Sequence, residues 1–170
     1  AIRVLTRSHW LRRALVMDLD VHQGNGTAAI FADDEAGYTF SMHGAKNFPL
    51  RKYPSDLDVN LEDGADDATY LAALRDGLDQ VFGSGRRFDL VIYLAGADPY
   101  ENDRLGRLKV TAEALAQRDR MVLQACQQRG IPVAIAMAGG YAEDVNQIVA
   151  LHAQTLAIAS SMFTPGVRNS

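Results

Sequence analysis

The sequence contains a single cysteine, Cys126, which excludes an internal disulfide framework and a zinc site built from several thiolates. It lies in a helical pattern, so we expect a buried structural thiol. No apolar run reaches the ~18 residues of a membrane span, and no signal-peptide pattern is recognisable. The formal net charge of -4 disfavours a non-specific nucleic-acid binder. We therefore expect no direct nucleic-acid binding, no membrane contact and a cytoplasmic location.

The 170 residues are 48% hydrophobic, enough for one domain with a buried core. Apolar runs predict buried strands at 14–18, 89–96 and 131–140, a strand at 38–43 and an edge strand at 56–61. Periodic segments predict helices at 1–10, 27–33 with Thr27 as N-cap, 68–82, 111–129 between Thr111 and Gly130, and 143–160. A loose tail with Pro165 and Gly166 follows. This alternation indicates a parallel sheet covered by helices on both faces.

Polar side chains follow the three most apolar strands, where parallel-sheet proteins gather their ligands. Asp18, Asp20 and His22 come after the first, spaced so that an extended backbone turns all three to one face. Asp98 follows residues 89–96, and Tyr141 follows residues 131–140. Two carboxylates and one imidazole, with a fourth position open, suit catalytic zinc, and divalent iron would tolerate the same ligands.

Each of these residues also has a plainer interpretation taken singly, as a solvated turn, a helix cap or a packing tyrosine. Their joint arrival at one sheet edge favours a metal site, since neighbouring buried carboxylates repel unless a cation neutralises them. The segment HQGNG at 22–26 lacks the spacing of a phosphate loop. A structural domain without metal remains an alternative, and it predicts that Asp20→Ala and Asp98→Ala preserve or raise stability.

Three motifs, DLDVHQGNGTA, LAGADPYENDRLG and MAGGY, resemble the zinc-dependent histone deacetylases, most closely the class IV branch and its bacterial relatives. The resemblance covers nearly all of residues 1–170. It implies the C-terminal portion of an arginase-like fold with three α/β/α layers. It also implies a zinc-dependent amidohydrolase that removes acetyl or longer acyl groups from lysine side chains of proteins or from small acyl amines.

The resemblance assigns a role to each matching position. Asp20, His22 and Asp98 match the zinc ligands, and the hydroxyl of Tyr141 matches the group that stabilises the oxyanion. Asp18 and Asn25 match polar partners of catalytic histidines. Phe48 and Leu105 match walls of the acyl-lysine tunnel, and Gly139 and Gly140 match its floor. Ligands of a structural potassium ion are matched by Asp18, Ser41 and Met42, together with the backbone carbonyls of Asp20 and His22.

The family's adjacent catalytic histidines come from a segment upstream of the D-x-D-x-H motif, and this sequence contains no such segment. Its remaining histidines are His9, His43 and His152. We therefore expect a partial domain whose partner is the missing N-terminal segment, inactive alone and with apolar surface exposed. Two hypotheses stay open: a piece of a working deacetylase, or a truncated domain that binds metal or a partner without turnover.

Overall fold

The computed structural model describes residues 1–163 and contains one five-stranded sheet in which every strand pair is parallel. Its order is β3-β2-β1-β4-β5. The strands are β1 (Ala14–Asp18), β2 (Gly37–Gly44), β3 (Leu57–Leu61), β4 (Leu90–Ala95) and β5 (Val133–Met137). The helices are α1 (Ile2–Arg7), α2 (Asn25–Phe31), α3 (Asp67–Gly83), α4 (Ala112–Gln127) and α5 (Val145–Phe163). The predicted tail with Pro165 and Gly166 lies outside the described residues.

Apolar side chains cover both faces of the sheet, as predicted. The larger core includes Leu15 and Met17 of β1 together with Leu74 of α3 and Leu115 of α4. On the opposite face, the alternate β1 residues Ala14 and Val16 pack with side chains of α1, α2 and β4. Because β1 is buried on both faces, its all-apolar sequence needs no alternation. The three-layer α/β/α arrangement is confirmed for the described residues.

The predicted boundaries of α4 are confirmed by its caps. The side chain of Thr111 accepts a hydrogen bond from Ala114 N at 3.2 Å, and Gly130 lies just past the helix end with φ +65°. The helix predicted over 27–33 is present as α2, but its predicted N-cap was wrong, because the N-cap is Gly24 and not Thr27. The carbonyl of Gly24 accepts the first helical hydrogen bond from Ala28 N at 3.0 Å, so the helix begins within the glycine-containing loop.

The strand predicted over 131–140 is present as β5, but its predicted burial was wrong. Strand β5 is shorter, and its residues are half-buried or exposed, with Met137 69% exposed. It pairs with β4 alone in the described structure, and only its Val133 and Ile135 pack against α4 and α5. The first helix is shorter than the predicted 1–10, and Trp10 lies beyond α1 and is exposed. No helix among residues 1–163 has the length and apolarity to cross a membrane.

Candidate metal centre

Strands β1 and β4 are neighbours, and the loops after them bring three predicted ligands together. One ligand atom from each of Asp20, His22 and Asp98 can be chosen so that all lie within 4.8 Å of one another. His22 Nδ1 lies 2.9 Å from an oxygen of Asp20 and 3.1 Å from an oxygen of Asp98. One imidazole nitrogen and two carboxylates thus face a common point at the carboxyl edge of the sheet. Asp18, which the spacing placed on the same face as Asp20 and His22, ends β1 and does not belong to this group.

Backbone amides hold the two carboxylates in place. Asp98 Oδ1 accepts a hydrogen bond from Val21 N at 2.8 Å. Asp20 accepts from His22 N at 2.8 Å through Oδ1 and from Gly139 N at 2.6 Å through Oδ2. Each carboxylate is therefore oriented by a different neighbouring segment, and the loops after β1, β4 and β5 form one unit around the three side chains.

At two glycines, Gly139 and Gly24, the backbone approaches an acidic side chain too closely for any Cβ atom to fit. A Cβ atom on Gly139 would lie 1.9 Å from Asp98 Oδ2 and 2.7 Å from Asp20 Oδ2, and a Cβ on Gly24 would lie 2.3 Å from Asp18 Oδ2. Real Cβ atoms do not come this near another atom. Gly139 therefore lies directly against the candidate ligands, while Gly140 packs against Ile148. The assignment of these two glycines to the floor of a tunnel stays a prediction.

Burial and mutual contact shift the pKa values of the acidic groups. Desolvation raises the pKa of Asp18 to about 7 and that of Asp98 to about 6. Burial also opposes ionisation of Asp20, but the hydrogen bonds from His22 and the backbone amides outweigh it and lower the pKa of that carboxyl. The hydrogen bonds to Asp20 and Asp98 raise the pKa of His22 to about 10. A proton on His22 thus provides positive charge beside the carboxyl groups of Asp20 and Asp98.

The donor set fits a divalent ion. An ion bound to Asp20, His22 and Asp98 would replace the proton on His22 as the positive charge between the two carboxylates. Nitrogen and oxygen donors with one position left open are typical of catalytic zinc, although divalent iron accepts the same set. Among the described residues, this is the single cluster of three histidine, cysteine or acidic side chains with the proximity that a metal ion needs.

The predicted potassium ligands lie beside this centre. Asp18 pairs in register with Ser41 of β2, and both are buried. Ser41 Oγ lies 2.9 Å from His43 Nδ1 and 3.4 Å from Gly24 N. Met42 is also buried and follows on the same strand. The structure thus places these residues together, and the assignment of potassium to them stays a prediction.

Of the predicted substrate-contacting residues, Tyr141 lies directly against a candidate ligand. The ring of Tyr141 stands edge-on to that of His22, with centroids 6.1 Å apart, and its side chain is partly exposed. Phe48 and Leu105 are exposed, and their segments are joined by a hydrogen bond from Asn47 Nδ2 to Leu105 O of 2.8 Å. Asn25 begins α2, half-buried, just past the ligand loop.

Sequence reasoning missed the role of Asp103. This buried carboxylate accepts hydrogen bonds from Leu105 N and Gly106 N, both at 2.8 Å, and from Tyr141 N at 2.6 Å. It therefore fixes one predicted tunnel wall relative to the tyrosine. An aspartate followed three residues later by glycine is a turn signal, which could have indicated the first two contacts. The third joins residues 38 positions apart and has no local signature.

The three other histidines lie on other parts of the fold. His9 is exposed at the end of α1 with φ 59°. His43 is buried behind Ser41, and desolvation lowers its pKa. His152 is on α5, where burial and the nearby Arg118 lower its pKa. None of the three belongs to the group of potential metal-binding side chains among the described residues.

The model of the histone deacetylase domain family matches residues 1–156. An uncharacterized protein of Picosynechococcus sp. is 45% identical over 152 residues, which cover 89% of this chain and 50% of that protein. Histone deacetylase 2 of Arabidopsis thaliana is 31% identical over 146 residues, which cover 82% of this chain and 37% of the relative.

Among solved structures, an acetylpolyamine aminohydrolase from Burkholderia pseudomallei superimposes with a TM-score of 0.76 at 19% identity, over 95% of this chain and 48% of that one. At this identity the likeness establishes a shared fold alone. The chain spans half or less of the length of the relatives it matches.

Proposed function

The chain belongs to the histone deacetylase family, and on that premise we propose that it forms the metal-binding portion of an enzyme that hydrolyses acyl groups from amines. The observation that carries the proposal is the convergence of Asp20, His22 and Asp98 on one point. The fixed orientation of both carboxylates supports it, because ligands that are already positioned lose little freedom when an ion binds. Zinc is the ion that we assign to them.

When bound, zinc supplies polarisation of an acyl carbonyl and a lowered pKa for an attached water molecule. The residues of this chain orient the substrate for that chemistry. Tyr141 stands beside His22 with its side chain partly exposed, and its hydroxyl would donate a hydrogen bond to the acyl oxygen as negative charge accumulates there. Removal of one such donor costs on the order of 10²–10³ in rate in comparable enzymes.

Among the described residues, no imidazole besides that of His22 belongs to the ligand cluster, so no second histidine lies there for proton transfer. A general base must lie within hydrogen-bond reach of the water proton that it takes, and His9, His43 and His152 lie elsewhere. We therefore expect the 170-residue chain to bind zinc without turnover. The same observation favours the second candidate, a domain that binds metal or a partner and catalyses nothing.

A zinc titration of the purified chain tests the metal centre. We expect one zinc ion per chain, displaced by a chelator, and little binding after Asp98→Asn or His22→Gln. Asp79→Asn on the exposed face of α3 is the matched control, since it removes an acidic group remote from the site. Binding that is equally weak in the unaltered chain, or unaffected by the two ligand substitutions, would overturn the assignment.

An assay of the longer protein that this proposal implies, its parent, separates enzyme from non-enzyme. We expect zinc-dependent release of acetate from acetyl-lysine peptides or acetylated polyamines. The names of the matched proteins motivate both substrate classes: Arabidopsis histone deacetylase 2 and the Burkholderia acetylpolyamine aminohydrolase. A parent that stays inactive on every acyl amine while it binds zinc would favour the second candidate. Measurable turnover by the 170-residue chain alone would exclude that candidate as its sole role.

A further inference from the structure

A buried polar network crosses the core behind the metal centre. Arg118 and Asp119, in the middle of α4, are 2% and 1% exposed. The guanidinium Nε of Arg118 donates to Asp119 Oδ1 at 2.8 Å. Asp119 also accepts from the hydroxyl of Tyr93 on β4, through Oδ1 at 2.5 Å, and from that of Thr155 on α5, through Oδ2 at 2.6 Å. One carboxylate thus joins a strand and two helices.

Another hydrogen bond of the guanidinium points towards the metal centre. Arg118 Nη1 donates to the carbonyl of Gly96 at 2.5 Å. Gly96 opens the turn after β4, two residues before Asp98. A Cβ atom on Gly96 would lie 2.6 Å from Asp20 Cα and 2.9 Å from Asp98 Oδ1. The turn is therefore confined between the backbone of one candidate ligand and the guanidinium of α4.

We propose that Arg118 is a positioning residue of the metal centre: held by Asp119, its guanidinium fixes the Gly96 carbonyl and so sets the orientation in which Asp98 meets the ion. The proposal rests on the metal centre proposed above. Arg118 itself does not belong to the ligand cluster. It acts through the backbone of residues 96–98.

The energetics of burial support a positioning role. A buried ion pair often contributes less stability than apolar side chains of similar volume, because both charges must be desolvated. Nη1 of Arg118 donates to the Gly96 carbonyl and not to the second carboxylate oxygen of Asp119. That oxygen accepts a hydrogen bond from Thr155 instead. Arginine suits this arrangement because its planar group has several donors in a fixed geometry, so one arm can bind Asp119 while another binds Gly96.

The test compares three variants of the 170-residue chain. Arg118→Met removes both contacts, whereas Arg118→Lys keeps the charge with a single nitrogen that cannot reproduce the fork. Thr155→Val is the matched control, because it removes a hydrogen bond to the same Asp119 but leaves the contact with Gly96 intact. The measurements are the zinc dissociation constant from chelator competition, the visible absorption spectrum of the cobalt-substituted chain, and the melting temperature without metal.

We expect Arg118→Met to raise the zinc dissociation constant by about 10–100-fold, as loss of a partner behind a ligand does in other metal sites. The cobalt bands should shift, since they report the geometry of the ligands. Arg118→Lys should fall between this variant and the unaltered chain, and it carries the test alone if the methionine variant does not fold. Thr155→Val should lower the melting temperature while it leaves zinc affinity and cobalt spectrum unchanged.

Two results would overturn the inference. In the first, both Arg118 variants bind zinc as tightly as the unaltered chain, with the same cobalt spectrum. In the second, Thr155→Val weakens zinc binding as much as Arg118→Met does, which would make the whole effect one of stability. Failure of the metal centre itself gives a different result, since the unaltered chain would then bind no zinc, and the inference would fall with it.

Discussion

Replacement of Gly139 by alanine tests how closely the loop after β5 approaches the candidate ligands. The new methyl carbon would lie 1.9 Å from Asp98 Oδ2, whereas ordinary van der Waals contact begins at 3.4 Å. The Asp98 oxygen would therefore have to move away by about 1.5 Å. A bond from zinc to a carboxylate oxygen is about 2.0–2.2 Å long. A displacement of this size removes the oxygen from the ion.

Neither carboxylate can shift without losing or straining a hydrogen bond that now holds it. Asp98 is held by Val21 N, and Asp20 is held by the amide of Gly139 itself. Loss of a partner behind a ligand weakens metal sites about 10–100-fold, so displacement of a ligand should exceed that range. We therefore expect Gly139→Ala to weaken zinc binding by at least about 100-fold, equivalent to ~2.8 kcal/mol.

Chelator competition at constant pH measures this change, with Gly26→Ala as the matched control. Gly26 lies in α2 near the ligand loop, and a Cβ atom there meets nothing within 4 Å. The control should bind zinc as the unaltered chain does, and it should be more stable by up to about 1 kcal/mol because alanine favours helix. The reasoning is refuted if Gly139→Ala folds and retains the zinc affinity of the unaltered chain.

The structure makes three further predictions. Zinc affinity should rise about tenfold per pH unit from pH 7 to 9, because the ion displaces the proton on His22, whose pKa the hydrogen bonds to Asp20 and Asp98 raise to about 10. Below about pH 6 the rise should be steeper, because burial raises the pKa of Asp98 to about 6 and a second proton must leave; affinity independent of pH in chelator competition would contradict this. Asp103→Ala should destabilise the chain by about 1–3 kcal/mol in urea denaturation, because it leaves three backbone amides without their acceptor, whereas Asp79→Asn should have little effect. Cys126 should react slowly with a thiol reagent at pH 8 in the folded chain and rapidly in denaturant, because burial raises its pKa to about 11; equal rates would show that the thiol is accessible.

The sheet and its ligand edge were predictable because their signals are local. The run ALVM indicates a buried strand by composition alone, and the acids and imidazole that follow it lie within a few residues. The three separate strand ends could be combined because parallel strands present their carboxyl ends at one edge. Strand β5 was misjudged for the opposite reason. Its apolar sequence suits both a central and an edge strand, and the difference depends on which neighbours pair with it.

The sequence by itself determined the fold class, the strands and helices to within a few residues, and the residue types of the candidate ligands. Only the tertiary structure decided which distant groups contact the loops around the candidate site. The contact of Arg118 with the Gly96 carbonyl joins residues 22 positions apart, and that of Asp103 with Tyr141 N joins residues 38 apart. The physical reason is that a hydrogen bond between distant segments depends on how a helix and two loops pack against a sheet, and no periodicity or spacing along the chain encodes that arrangement.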